Sequence, residues 1–141
     1  MALELYAIGD KKRAVEGTKA AIARFTEEVL PAHRKEYWLA SAYEILGEID
    51  GDERAIDAAI TVFEALLLEE RWSPTGKALL YRHVGDCQRA RSRWPEAMKA
   101  YDRAYEEETQ AIFMVFRAEC LFGMGEVGKA LSTIQNVDLV L

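Results

Sequence analysis

A recurrence of small and large apolar residues every 33 positions constrains this sequence more than any other feature. The matched pairs are residues 85–87 (Gly-Asp-Cys) with 118–120 (Ala-Glu-Cys), Trp94 with Val127, Ala97 with Ala130 and Tyr101 with Ile134. Small residues coincide where two helices must approach closely, and large ones coincide where space must be filled. A fixed period of this length is typical of repeat architectures, so the recurrence predicts stacked copies of one supersecondary unit.

Apolar residues follow the three- and four-residue spacing of α-helices along nearly the whole chain. No segment shows the alternation of a half-buried strand, so we expect an all-α protein with seven helices. The first three helices are predicted at 10–30, 33–46 and 53–70, and the last two at 111–122 and 126–136. Between them, residues 73–76 open a fourth helix that reaches 91, and a fifth helix with Pro95 in its first turn reaches 109. The first has an apolar stripe of Ala14, Thr18, Ala21, Ile22, Phe25 and Val29.

Four residues are expected to end helices, namely Pro31, Gly47, Gly123 and Gly125. The segment 48–52 contains a glycine and three acidic residues. Such a composition favours a solvated turn, without a buried face, between the second and third helices.

Length and composition indicate one globular domain. The 141 residues are 50% hydrophobic and 30% charged, with 3 prolines, which excludes disordered, collagen-like and disulfide-scaffold classes. The net charge of −6 argues against binding to nucleic acid or to an anionic membrane surface. Uncharged stretches reach only eight residues, so no transmembrane helix is expected. Two cysteines and the lack of a basic leader predict a cytoplasmic protein.

The clearest helix pair, 78–110, has a small and aromatic pattern. Its characteristic residues are Tyr81, Val84, Gly85, Trp94, Ala97, Tyr101 and Ala104. This pattern resembles the tetratricopeptide repeat (TPR), a unit of about 34 residues with an aromatic-x2-Leu-Gly-x2-Tyr first helix and an Ala-x3-Phe second helix. Gln88 departs from it, since the family prefers an aromatic residue there. The next copy supplies Ala118, Ala130 and Ile134, but Arg117 stands at a place that is usually apolar.

The resemblance implies a right-handed helix-turn-helix repeat solenoid of about three helix pairs plus an N-terminal helix, in one domain over 1–141. Residues 1–32 would be an N-terminal helix or half repeat, 33–72 a first repeat with an insertion in its acidic turn, 78–110 a second repeat, and 111–141 a third repeat and tail. The tail is apolar and lacks the polar helix that caps solenoids. Either the chain is a portion of a longer protein, or its open end is covered by a partner or by the chain itself. In the last case 1–30 is a native capping helix and the tail folds back onto the last helix pair.

Candidate catalytic groups are few. His83 and Cys87 lie four residues apart on one predicted helix, as in a thiol–imidazole pair or half a metal site. However, Cys87 and Cys120 are equivalent in the repeat, where a small packing residue is expected, so we favour core packing. The Gly76-Lys77 pair lacks the rest of a phosphate loop, and 50–53 lacks EF-hand spacing. We expect no enzymatic activity, metal or cofactor.

In TPR proteins the first helix of each pair lines a concave groove that binds a partner. Carried over, the groove residues are Tyr37, Ser41, Arg82, Asp86, Arg89, Val115, Glu119 and Phe122. The stretch 82–93 holds four arginines and one aspartate, a local charge of +3 that would attract an acidic segment. Val115 and Phe122 would anchor an apolar side chain. Alternatively, Arg91 and Arg93 only occupy a solvated turn.

These features predict a protein–protein interaction module that binds a peptide or helical segment with acidic and apolar anchors. One alternative is a stand-alone small chaperone, similar to those that shield apolar segments of bacterial secretion substrates. The other is an enzyme that uses His83 and Cys87. The uncapped C-terminal end predicts a capacity for self-association.

Overall fold

A computed structural model describes residues 11–27 and 32–137 of the chain. These residues form seven α-helices and contain no strand, which confirms the all-α prediction. The helices are α1 (Lys11–Glu27), α2 (Ala32–Asp50), α3 (Glu53–Leu67), α4 (Pro74–Ala90), α5 (Trp94–Glu107), α6 (Ala111–Gly123) and α7 (Val127–Gln135). None of the described helices is long and apolar enough to cross a bilayer.

The chain divides into two compact units, Met1–Leu66 and Leu67–Leu141. In the first unit α1 packs on α2, and the rings of Tyr37 on α2 and Phe63 on α3 meet edge to face. In the second unit each helix packs on the next one along the chain, from α4 to α7. The prediction of a single TPR-like domain is not tested by this division and stays a prediction.

The predicted stripe of α1 is buried at Ala14 and Thr18 and half-buried at Ala21 and Ile22. The Thr18 hydroxyl donates a hydrogen bond to the Ala14 carbonyl oxygen at 2.9 Å. That bond satisfies a polar group that would be costly to bury alone. The side chain of Phe25, the predicted stripe member Val29 and the predicted helix end at Pro31 lie outside the part of the chain that the structure describes.

Gly47 does not end α2, contrary to the sequence-based prediction. The helix continues to Asp50 because Ile49 is buried, and the left-handed turn belongs to Gly51, whose φ is 68°. A Cβ atom at Gly47 would overlap Cγ1 of Ile56, so this glycine allows α3 to approach α2 closely. The predicted solvated turn over 48–52 is therefore wrong at 48–50. Only two residues separate the helices, too few to hold an insertion.

From α3 to α7 the helix boundaries fall within three residues of their predicted positions, and local capping contributes to them. The predicted limits of the first helix, 10 and 30, lie outside the described residues. Ser73 is the N-cap of α4, where its hydroxyl oxygen accepts a hydrogen bond from the Gly76 backbone nitrogen at 3.1 Å. Pro74 and Pro95 stand in the first turns of α4 and α5, where a missing N–H costs nothing.

The turn between α4 and α5 recurs 33 residues later between α6 and α7. In the first turn, Ser92 N donates to Arg89 O and Arg93 N donates to Gln88 O. In the second turn, Gly125 N donates to Phe122 O and Glu126 N donates to Leu121 O, and all four distances are 2.9 Å. Ser92 and Gly125 both have a positive φ, 56° and 81°. The period seen in the sequence is therefore also a period of the backbone, compatible with an all-α repeat.

The core of the second unit is centred on Tyr101, which is fully buried. Its buried members are Ala78, Ala97, Tyr101, Ala104, Phe113, Phe116 and Cys120. Small repeat residues lie at helix contacts, since a Cβ atom at Gly85 would lie 2.6 Å from the Tyr101 ring. Arg117, at a place where an apolar residue was expected, forms an ion pair with Asp102 of α5.

Candidate binding surface on the second unit

Two of the eight predicted groove residues, Tyr37 and Ser41, lie in the first unit and pack within it. The Tyr37 ring centroid is 5.2 Å from that of Trp38 and 6.1 Å from that of Phe63. The Ser41 hydroxyl donates to the Tyr37 carbonyl oxygen at 3.0 Å. Burial raises the pKa of the Tyr37 phenol. These contacts all lie within the first unit, and the other six predicted residues lie in the second unit.

Phe116 of α6 lies against two arginines of α4. The guanidinium carbons of Arg82 and Arg89 are 5.1 and 5.2 Å from its ring centroid. Both distances are within the range of cation–π attraction. Two predicted polar anchors thus contact the same aromatic side chain, which itself is buried.

Arg89 is also at the centre of a charged network between α4 and α6. Its guanidinium lies 2.5 Å from a Glu119 carboxylate oxygen and 3.6 Å from one of Asp86. The Tyr101 hydroxyl donates to Asp86 at 2.5 Å, and burial, followed by the Asp86 carboxylate, raises the pKa of that phenol. Two carboxylates therefore compensate the charge of Arg89, which makes it a packing residue more than a free anchor.

Arg82 differs from Arg89 in its charge partners. It is half-buried, and within residues 11–27 and 32–137 no carboxylate lies at ion-pair distance from it. Arg93, at the turn, has its guanidinium directed to the Gln88 side-chain oxygen at 3.2 Å. Of the two arginines on Phe116, Arg89 has carboxylate partners, whereas Arg82 has none in the part of the chain that the structure describes.

An open apolar pocket of about 330 Å³ lies between α6 and α7. Its lining residues are Val115, Ala118, Glu119, Phe122, Val127, Ala130, Leu131 and Ile134. Phe122 is 67% exposed and Leu131 is 57% exposed, so the pocket presents apolar side chains to solvent. Glu119, the one charged lining residue, already pairs with Arg89.

The structure brings three predicted groove residues, Val115, Glu119 and Phe122, into this pocket. Sequence reasoning missed the contribution of α7, because in the TPR groove only the first helix of each pair is expected to contact a ligand. A signal was nevertheless present: 127, 130, 131 and 134 have the spacing of one apolar helix face.

The groups considered for catalysis lie in or against the core. Cys87 is fully buried and His83 is half-buried on α4. Cys120 is also fully buried, and burial raises the pKa of its thiol to about 11. A protonated thiol is a poor nucleophile. In the part of the chain that the structure describes, no group of three or more His, Cys, Asp or Glu residues could hold a metal ion.

The chain matches no protein-family model, and no curated protein matches it. The TPR resemblance therefore stays a prediction carried by the residues themselves, and function has to be argued from the surface of the second unit.

Proposed function

We propose that the protein is an interaction module of the TPR type, whose second unit binds a segment of a partner protein without catalysing a reaction. In this proposal α4–α7 continue as a right-handed solenoid of helix pairs. The recurrence of one turn geometry after 33 residues supports it, because equivalent turns orient successive helix pairs alike.

The observation that carries the binding proposal is the open pocket between α6 and α7. Contiguous exposed apolar side chains are uncommon on monomeric proteins and mark interaction sites. Apolar residues supply nearly all of its lining, including the mostly exposed Phe122. Such a surface gains free energy when a partner excludes water from it.

Arg82 would supply the polar anchor of the same binding surface. Its guanidinium has no carboxylate partner among the described residues. An arginine side chain can bind a carboxylate through two parallel N–H donors. A partner segment that carries apolar residues for the pocket and, outside these residues, an acidic residue for Arg82 fits this arrangement. A small chaperone for apolar segments would use the same pocket, and the identity of the partner distinguishes the two.

The test is affinity capture from native extract with wild-type chain and three variants. Arg82→Glu and Phe122→Glu should each reduce capture of the same partner, because they remove the polar and the apolar anchor. Arg103→Glu is the matched control, since Arg103 is exposed on α5 and is not among the lining residues of the pocket. Helicity by circular dichroism should be equal in all four proteins. Equal capture by all four proteins would refute the assignment of the surface.

A further inference from the structure

The pocket between α6 and α7 is the repeat-equivalent of a surface that this chain covers itself. Subtracting 33 from its lining positions gives residues of α4 and α5, where α6 packs. Val115 corresponds to Arg82, Phe122 to Arg89 and Ile134 to Tyr101. A further helix therefore has a place on α6 and α7 that corresponds to the place of α6 on α4 and α5.

On the covered surface, α6 inserts an aromatic side chain into the equivalent position. The Phe116 ring lies beside Arg82 and Arg89, and its centroid is 4.9 Å from that of Tyr101. Phe113, three residues earlier, is buried in the same core, with the two phenylalanine centroids 6.4 Å apart. Two aromatic residues separated by three positions thus attach α6.

The backbone beneath the two surfaces is nearly the same. The residue after α4, Arg91, has φ −86° and ψ 4°, and the residue after α6, Met124, has −83° and 0°. The residue before α5, Arg93, has φ −90° and ψ 74°, and the residue before α7, Glu126, has φ −90° and ψ 67°. Because these turns set how the two helices of a pair are placed, the pocket repeats the shape of the covered surface.

The side chains of the open surface are more apolar than those of the covered one. Val115 and Phe122 replace the two arginines, and Ile134 replaces the tyrosine. The remaining carboxylate, Glu119, is held by Arg89, so an incoming helix need not supply a cation for it. An acidic residue on that helix face would instead meet this carboxylate and lose hydration.

We propose that this pocket binds one α-helix of a partner protein, with large apolar side chains at two positions three residues apart and no carboxylate between them. The helix packs on α6 and α7 in the way that α6 packs on α4 and α5, which continues the internal interface by one step. This inference rests on the proposed binding function and specifies the chemistry of the partner.

The experiment uses a synthetic, dye-labelled, alanine-based peptide of about 18 residues, long enough to be helical in water. It carries Phe at positions i and i+3 and Leu at i+7, and its affinity for the full chain is measured by fluorescence anisotropy. We expect saturable binding that is lost when both Phe residues of the peptide are replaced by Ser. Leu131→Glu and Ile134→Glu should each weaken binding at least about tenfold. Ser132→Glu, an exposed position outside the pocket on the same helix, should leave binding unchanged.

Four outcomes would overturn the inference. The first is the absence of saturable binding. The second is binding that depends on Arg82 but not on Ile134, and this second outcome alone would still agree with the proposed function. The third is a gain in affinity when Leu139 and Leu141 are both replaced by Asp, because the occupant would then be the chain itself. The fourth is a dimer that Leu131→Glu dissociates, because the occupant would then be a second copy. Failure of the proposed function is read separately, from capture that does not depend on Arg82.

Discussion

Gly85 and Tyr101 are matched in size at the contact between α4 and α5. A Cβ atom at Gly85 would lie 2.6 Å from the ring, and the hydrogen bond from the Tyr101 hydroxyl to Asp86 prevents the ring from moving freely. The next copy has Ala118 in place of the glycine and Ile134 in place of the tyrosine. The first residue is thus larger and the second is smaller than in the preceding copy. The repeat therefore conserves the sum of the two volumes more closely than either residue.

Gly85→Ala is expected to destabilise the protein. Overpacking costs about 1–3 kcal/mol, which exceeds the gain of up to about 1 kcal/mol from better helix propensity. Urea unfolding should therefore show a lower midpoint. The control is Gly17→Ala on α1, where a Cβ atom would meet nothing within 4 Å and the midpoint should rise. A rise in both variants would show that the contact with Tyr101 is not tight.

Alkaline pH should weaken the fold through Cys120. Burial raises the pKa of its thiol from 9.0 to about 11, so between these values the unfolded chain ionises while the folded chain stays protonated. Cys120 therefore leaves the free energy of unfolding unchanged below pH about 9 and lowers it as pH rises to about 11. Urea unfolding at a series of pH values should show this decline, and Cys120→Ala should reduce its slope. A slope unchanged in Cys120→Ala would contradict the assignment.

At the scale of elements, each turn inside a helix pair contains one residue in the left-handed backbone conformation. Gly51, Ser92 and Gly125 have φ values of 68°, 56° and 81°. Glycine reaches this conformation freely, whereas the Cβ of serine contacts the backbone there. Ser92 therefore carries strain that the other two turns lack.

Ser92→Gly should stabilise the protein, and Gly125→Ser should destabilise it, each by about 1 kcal/mol. The two substitutions exchange residues between equivalent turns, so they serve as controls for one another. Thermal unfolding should move the transition temperature in opposite directions. Shifts of the same sign would mean that the two turns are not equivalent in solution.

At the scale of the whole molecule, residues 68–73 connect two compact units and lie outside the helices. Leu68 is 85% exposed, and Arg71 is exposed and pairs with Glu69. Exposed backbone that is not helical is the preferred site of proteolytic cleavage. We therefore expect residues 68–73 to be the segment most susceptible to proteolysis in the described part of the chain.

Brief treatment with trypsin should cleave first after Arg71 among residues 32–137. The reason is that the other arginines and lysines of this range lie in helices or in the short turn at 91–93. Mass spectrometry of early digests should show the two fragments, and Arg71→Gln should slow their release. Earlier cleavage within α4–α7 would contradict the compactness of the second unit.

Most helix positions could be predicted from sequence because hydrophobic spacing, Ser73 as a cap and the prolines of first turns act within a few residues. Gly47 was misread for the same reason: a local rule treats glycine as a helix end, but the approach of Ile56 requires it inside the helix. The 33-residue period was visible in the sequence, since it reflects side-chain volumes at repeated contacts.

Only the tertiary structure decided which charges remain available and which apolar residues share a surface. Arg82 and Arg89 look alike in sequence, yet Glu119, thirty positions beyond Arg89, compensates only one of them. The pocket joins residues of α6 and α7 in the same way, through a turn whose geometry places two helix faces together. Local hydrophobic pattern specifies helices, whereas partners across helices depend on how those helices pack.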